Sequence, residues 1–547
     1  MQRGLLVCLT LVISAGVSVE AAEPLHQRID ALITAAHKGP VAPRSSDAEF
    51  LRRVSLDFAG LIPTAAEARS SLADKSPDKR TKLIDRLLSG ADYPQRMQYA
   101  FSTMLLERRP GLTVAMDDWN QYLQTSFKNN KPLDQLIREL ISADGTDPAT
   151  RPAMKFLLAR SATDHRLLAR DVSRLLLGRN LECAQCHDHP TIDDYKQADF
   201  FGLVAFLDRS YLYKDKKTNE SFFIEKGTGP VVEFTSVFTT ITDTTGPKLL
   251  WRDPVDVPVF EKGQELKTPA TEGKPPVPKL VLRPQLAEQL TAPNNAEFSR
   301  NMANRLWALM MGRGLVHPLD MQHESNKPSH PKLLTLLAEE LVAGKFDIKR
   351  LLREIALSEV YQRSSQLGDE ADDVPVTSYA AFNMKSLSAE QLAFSVMQAA
   401  GRKQEVLAVP ADKAATAKYR PDKGRPIPAV NLDNVLKLFR SVFAAQPGQS
   451  EDEFSPSVAA ALFAENEGLL LDWLTLKDAN LQARLAKLSD ARAVTEELYM
   501  SVLTRLPTEE EREAVTKYLE ANADDRATSL REMAWALLAS AEFRFNH

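Results

Sequence analysis

Between Tyr211 and Pro284 the helical texture of this 547-residue chain stops, and that interruption limits its architecture more than any other feature. Val231, Val232, Phe234, Val237, Phe238 and Ile241 lie among threonines, after the turn-forming Gly227-Thr228-Gly229-Pro230. β-Branched and aromatic side chains suit a pleated surface, so this run reads as strand. Pro269, Pro275, Pro276, Pro278 and Pro284 follow, each without a backbone N–H, and predict an extended linker that is not helical. The length exceeds one ordinary core. The expected fold class is therefore mainly α and multi-module, with two helical modules joined by a small β-containing insertion and a Pro-rich linker. The expected boundaries are 1–22, 23–209, 210–293 and 294–547.

On both sides of the interruption the helix signals are strong. Ser46 with Glu49 reads as a capping box opening a helix whose apolar face is Phe50, Val54 and Phe58, stopped by Gly60. Thr64 with Glu67 repeats the device, and Pro507-Thr508-Glu509-Glu510-Glu511 echoes it near the C-terminus. Leu83, Ile84, Leu87 and Leu88 give another buried stripe, and further helices are expected over 132–142, 165–177 and 195–207. After the linker, Phe298, Met302, Leu306 and Met310 follow the i, i+4 rule up to Gly312. Ser329-His330-Pro331 predicts a start, with Ser329 as cap, for a helix with Leu333, Leu337 and Leu341 inside and Gly344 at its end. The stretch 421–428 is polar and irregular, and helices resume over 489–545.

The N-terminus carries Arg3, an apolar run through Leu5, Leu6, Val7, Leu9, Leu11, Val12 and Ile13, and small residues at Ala21-Ala22. That order predicts a cleaved secretory signal over 1–22, too short for an ordinary span of about 20 apolar residues. A periplasmic or extracellular protein with no integral span after cleavage is expected. Cys8 would leave with the signal, so Cys183 and Cys186 are the cysteines of the mature chain. Basic and acidic residues number 68 and 73 and are spread along the chain without a long basic run, which gives nucleic-acid binding no support.

Those two cysteines lie in Cys183-Ala184-Gln185-Cys186-His187-Asp188-His189-Pro190, directly after a predicted helix and so on a turn. C-x-x-C-H is the spacing of c-type haem attachment, with both thiols on one porphyrin and the adjacent histidine on iron. Three chemistries fit. The first is covalent haem on Cys183, Cys186 and His187, serving electron transfer or a peripheral oxidation with an unidentified redox partner. The second is a Cys183–Cys186 disulfide or free dithiol in a non-enzymatic binding or structural protein. The third is a zinc or iron site that adds His189 to the cysteines, with a metal-dependent hydrolase as its furthest extension. His187 is the haem-specific residue and His189 the metal-specific one. Candidates for a sixth iron ligand are Met154, His165, Met321, His323 and His330. Asp188, Asp193, Asp194 and Asp199 are candidate cation or histidine partners, and His323, Asn326, Ser329 and His330 form a second polar cluster.

The chain resembles the planctomycete cytochrome-type domain of unknown function, followed by the planctomycete-specific domain of unknown function that usually accompanies it. The first likeness rests on Leu51-Arg52-Arg53-Val54-Ser55-Leu56-Asp57, Gly60-Leu61-Ile62-Pro63-Thr64, Asp171-Val172-Ser173-Arg174, the cysteine motif and Phe200-Phe201-Gly202-Leu203. The second rests on Asn304-Arg305-Leu306-Trp307, Gly312-Arg313-Gly314-Leu315-Val316, Asn326-Lys327-Pro328-Ser329-His330-Pro331, Tyr361-Gln362-Arg363-Ser364 and Ser388-Ala389-Glu390-Gln391. The resemblance implies a cytochrome without implying a particular activity. Thr191-Ile192-Asp193-Asp194-Tyr195 stands where a tryptophan-rich segment is expected from such relatives.

Overall fold

The computed structural model describes residues 23–111, 113–161, 165–227, 229, 231–368, 374–410, 430–451, 468–477 and 479–547. The expected signal over 1–22, with Cys8, and the polar stretch 421–428 lie outside the described residues. The architecture is mainly α. Sheet is confined, among the described residues, to four antiparallel pairs of short strands. No described helix is long and apolar enough to cross a membrane.

Local chemistry sets the helix ends. The Thr64 hydroxyl accepts from Glu67 N at 3.2 Å while Thr64 N donates to the Glu67 carboxylate at 2.8 Å, opening the helix Ala65–Ala73. Thr508 and Glu511 do the same for Glu509–Ala521. This reciprocal pairing satisfies two backbone donors that every helix start leaves free. Ser46 accepts from Glu49 N, but the Glu49 carboxylate turns to Arg53, so only half the box forms. Ser329 is not a cap: Pro331–Ala343 begins after His330 with no side-chain cap, and the Ser329 hydroxyl meets His330 Nδ1 at 3.2 Å.

The expected β element of the insertion is a hairpin, Val232–Thr235 against Thr242–Thr245, with residues 236–241 as its turn. The Pro-rich linker departs from the sequence reading at its end. The linker ends in a helix, Arg283–Thr291, with Pro284 in its first turn. Proline is tolerated there because its missing N–H has no partner to lose. The neighbouring Leu282 and Arg283 N–H groups donate to the buried Glu225 carboxylate at 2.8 and 3.0 Å, which anchors the helix to the strand Ser221–Glu225.

One apolar core takes in helices from both sides of the insertion, including Ile29, Phe50, Trp119 and Phe206 with Trp307, Leu337 and Ile355. A second gathers Leu392, Leu436, Trp473, Leu498 and Phe543 around Leu56, Leu61 and Ile62. The helix Asp47–Phe58 thus feeds both cores, Phe50 into one and Leu56 into the other. Its arginines are fully buried between them. Arg52 donates to the carbonyls of Val502 and Phe543, and Arg53 to those of Tyr361 and Arg363, with its guanidinium 3.7 Å over the Phe382 ring. Charge on this helix is spent on holding distant backbone, which accounts for a polar sequence on a fully buried face.

Candidate functional site

The helix His165–Val172 continues into a wide turn, Ser173–Leu177, and stops at Gly178 with φ +72°. A side chain at Gly178 would meet Asn301 Oδ1 at 2.7 Å, so both the left-handed backbone and the close approach demand glycine. The chain then pairs with the segment after Pro318: Asn180 N donates to Asp320 O and Gln322 N to Gly178 O, both at 2.8 Å.

Cys183–Gln185 forms a single 3-10 turn. Cys186 follows as the cap of this turn, its N–H donating to Cys183 O at 3.2 Å. Ala184 is fully buried and pins the turn, leaving both cysteines exposed and free. The hairpin of the insertion leans on this turn: Val237 N donates to Cys186 O at 2.9 Å, and the Phe238 ring stacks on His187 with centroids 4.1 Å apart. Phe238 is nevertheless 70% exposed, beside Val237 at 62% and Ile241 at 66%. Three large apolar side chains of the hairpin thus face solvent, two of them on residues that touch the cysteine turn.

The two motif histidines carry opposite hydrogen bonds. His187 Nδ1 lies 2.6 Å from Asp188 O. A carbonyl only accepts, so Nδ1 holds the proton and Nε2 keeps its lone pair. His189 Nδ1 instead accepts from Thr191 N at 3.2 Å and Ile192 N at 3.0 Å. Its neutral ring therefore holds the proton on Nε2, and no lone pair is left for a metal. The assignment follows from the partners of each nitrogen.

Most of the acidic candidates are already engaged. Asp188 Oδ1 accepts from Gln197 N at 2.8 Å and caps the helix Gln197–Leu207. Asp194 pairs with Arg179, and Asp199 with Lys248 at 2.8 Å. Among the described residues no group of three or more His, Cys, Asp or Glu is arranged to hold a metal ion.

The sixth-ligand candidates scatter. Met154 is core, 1% exposed, and His165 pairs with Asp208 at 3.3 Å. His330 is buried beside Tyr379, and Met321 bridges to Arg179 through its backbone. His323 meets Tyr195 edge-on at 5.6 Å, and Tyr195 meets His189 the same way at 5.9 Å. Burial lowers the His323 pKa, against the pull of Asp194. The cluster proposed from His323, Asn326, Ser329 and His330 divides: His323 and Asn326 bridge one tight loop, whereas Ser329 and His330 turn to the next helix start. Sequence reasoning missed Phe238 as a partner of His187, since a β-branched run gives no hint of which residue will sit at the hairpin's tip.

Residues 28–211 match the family PSCyt2, a protein of unknown function (DUF1549), and residues 282–519 match PSD1, a protein of unknown function (DUF1553). The chain carries both domains, in that order. No curated protein and no solved structure matches it. The PSCyt2 match spans the cysteine turn and ends inside the strand Ser210–Lys214, and the hairpin that reaches back to His187 lies between the two matched regions.

Proposed function

We propose that this chain is an exported redox protein that holds one c-type haem through Cys183 and Cys186, with His187 Nε2 as the iron ligand. The observation that carries the reading is the Nδ1 contact of His187 to the Asp188 carbonyl, which leaves Nε2 free. Metal-bound imidazoles characteristically donate their other N–H to such an acceptor, which orients the ring and raises its basicity. The thiols are free and exposed at the two ends of one turn, and each can add its S–H across one vinyl group without an oxidant. Val237, Phe238 and Ile241 would exclude water beside the ring. A haem so held supplies one-electron exchange, for electron transfer or an oxidation at the periphery.

The competing zinc or iron site needs a lone pair that His189 has committed to backbone. A hydrolase built on the aspartates needs carboxylates of which three, Asp188, Asp194 and Asp199, already cap a helix or pair with cations.

The test is export of the full chain from a host with c-type haem maturation, followed by an absorption spectrum and haem staining of a denaturing gel. A Soret band is expected, with stain that survives denaturation, weakens in Cys186→Ala and persists in His189→Ala. Loss of absorbance in His189→Ala with retention in His187→Ala would reverse the ligand assignment. A colourless protein with two titratable thiols, or with stoichiometric zinc, would overturn the haem reading altogether.

A further inference from the structure

A cavity of about 610 Å³ lies where the helix Asp92–Leu106 faces the end of Ala296–Met311 and the strand Lys385–Ser386, and none of Cys183, Cys186 or His187 lines it. Its size is that of a small-molecule site. Its walls are mixed, with Met302, Leu306, Leu309 and Leu392 among the apolar residues.

The charged groups on the walls are unevenly matched. The acids are already paired: Glu107 with Arg109 and Arg174, Glu390 with Arg108 and Arg440, and Glu451 with Arg108. Lys385 is neutralised by Asp57 at 2.6 Å. Arg96 has no such partner. It is 8% exposed, and its guanidinium makes no hydrogen bond or ion pair among the described residues, with Nε fully enclosed. Burial lowers its pKa, and Asp57 and Glu390 offset this only through space. Arg313 and Arg544, also on the wall, hold no ion pair among the described residues.

The placement of Arg96 is built in by close packing. A Cβ on Gly60, whose φ is +77°, would come within 2.9 Å of Arg96 Cδ. Glycine there both ends the preceding helix and leaves room for the arginine stem. An unpaired buried guanidinium costs stability unless something completes it.

From Arg96 and the apolar walls around it, we propose that this cavity is a binding site for a small organic carboxylate, whose anionic head is taken by the Arg96 fork and whose apolar body fills the space toward Leu306 and Leu392. The planar guanidinium matches a carboxylate in two-point geometry. A bare inorganic anion would leave the apolar walls wet. The site stands apart from the haem reading and does not rest on it.

The experiment is thermal unfolding of the full exported chain with octanoate, octanol or inorganic phosphate, on the wild type, Arg96→Met and Arg96→Lys. Octanoate should raise the unfolding midpoint saturably, with octanol and phosphate far weaker. Arg96→Met should unfold several degrees above the unliganded wild type, because an uncompensated buried charge is gone, and should lose the octanoate response. Arg96→Lys keeps the charge without the fork and should bind octanoate about tenfold more weakly. It also serves as the second variant if Arg96→Met fails to fold. No octanoate response in the wild type would overturn the proposal. So would an equal response to phosphate, or a less stable Arg96→Met that keeps its octanoate response, since Arg96 would then be a packing residue only.

Discussion

Asp171→Asn should destabilise the protein by about 3–5 kcal/mol, the usual cost of removing one partner from a buried ion cluster. Asp171 is fully buried and faces four guanidinium groups: Arg160 at 2.8 Å, Arg170 at 3.0 Å, and Arg109 and Arg174 at 3.2 Å each. Burial alone would raise its pKa, but the arginines, led by Arg160, overcome this and lower it to about 2. Arg160 itself is fully buried and, apart from this carboxylate, donates only to the Phe156 and Leu105 carbonyls. Asparagine keeps the shape and removes the charge, leaving Arg160 uncompensated.

The linkage has a definite sign. The folded pKa lies below the ordinary value of 3.8, so the stabilisation is fully present above about pH 4 and is lost as pH falls toward 2. The shift is equivalent to about 2 kcal/mol. Glu390, lowered from 4.5 to about 2 by Arg108 and Arg440 against the opposing effect of burial, adds a loss over the same acid range. Urea unfolding at pH 7 and pH 3 measures both effects. Asp171→Asn should be less stable than wild type at pH 7 and should show a shallower acid loss. A variant equal to wild type at pH 7 would mean that the cluster's desolvation cost cancels its attraction. Adding Arg160→Met to Asp171→Asn should recover much of the loss, because the unpaired charge is then gone.

How much of this was legible in the sequence depended on the range of the interaction. Thr64 with Glu67 and Thr508 with Glu511 are complete within four residues, so the sequence alone predicts both boxes. Ser46 with Glu49 half failed because a long-range demand, Arg53 beneath Tyr361 and Arg363, drew the carboxylate away. Pro284 misled for the opposite reason. Prolines in series suggest an extended chain, but the Glu225 carboxylate supplies a helix start from 58 residues away. At the candidate site, the turn at Cys183 was legible from spacing after a helix. The distinction between His187 and His189 was not, since it rests on where three backbone groups point. Arg96 gave no signal at all: an arginine on an amphipathic helix ordinarily faces water, and the room that Gly60 leaves for its stem is a long-range contact. Asp171 and Arg174 stood out as part of a motif, but their partners reach back to Glu107 and Arg109 and forward to Asp320.

Asp57→Ala should be as damaging, about 3–5 kcal/mol, for a related reason at a different place. The Asp57 carboxylate, 2% exposed, accepts from Tyr361 Oη at 2.7 Å, Asn546 Nδ2 at 2.9 Å and Lys385 Nζ at 2.6 Å. Those three donors come from separate parts of the second half of the chain, so one residue of the helix Asp47–Phe58 ties them together. Lys385 also donates to the carbonyls of Leu309 and Met310 at 2.7 and 2.8 Å, closing the C-terminal end of Ala296–Met311 where helix carbonyls lack partners. All three ammonium protons are thus used, and the charge is tolerated only because Asp57 balances it. Burial already lowers the Lys385 pKa. Without Asp57 it falls further, so the unfolded chain binds more protons than the folded one as pH approaches the ordinary lysine value. The variant should therefore gain stability between pH 7 and pH 9.5 relative to wild type, a pH dependence that mere loss of packing would not produce. Urea unfolding at those two pH values decides it. A loss that is independent of pH, and that Lys385→Met fails to relieve in the double variant, would show that Asp57 acts through its hydrogen bonds to Tyr361 and Asn546 and not through its charge.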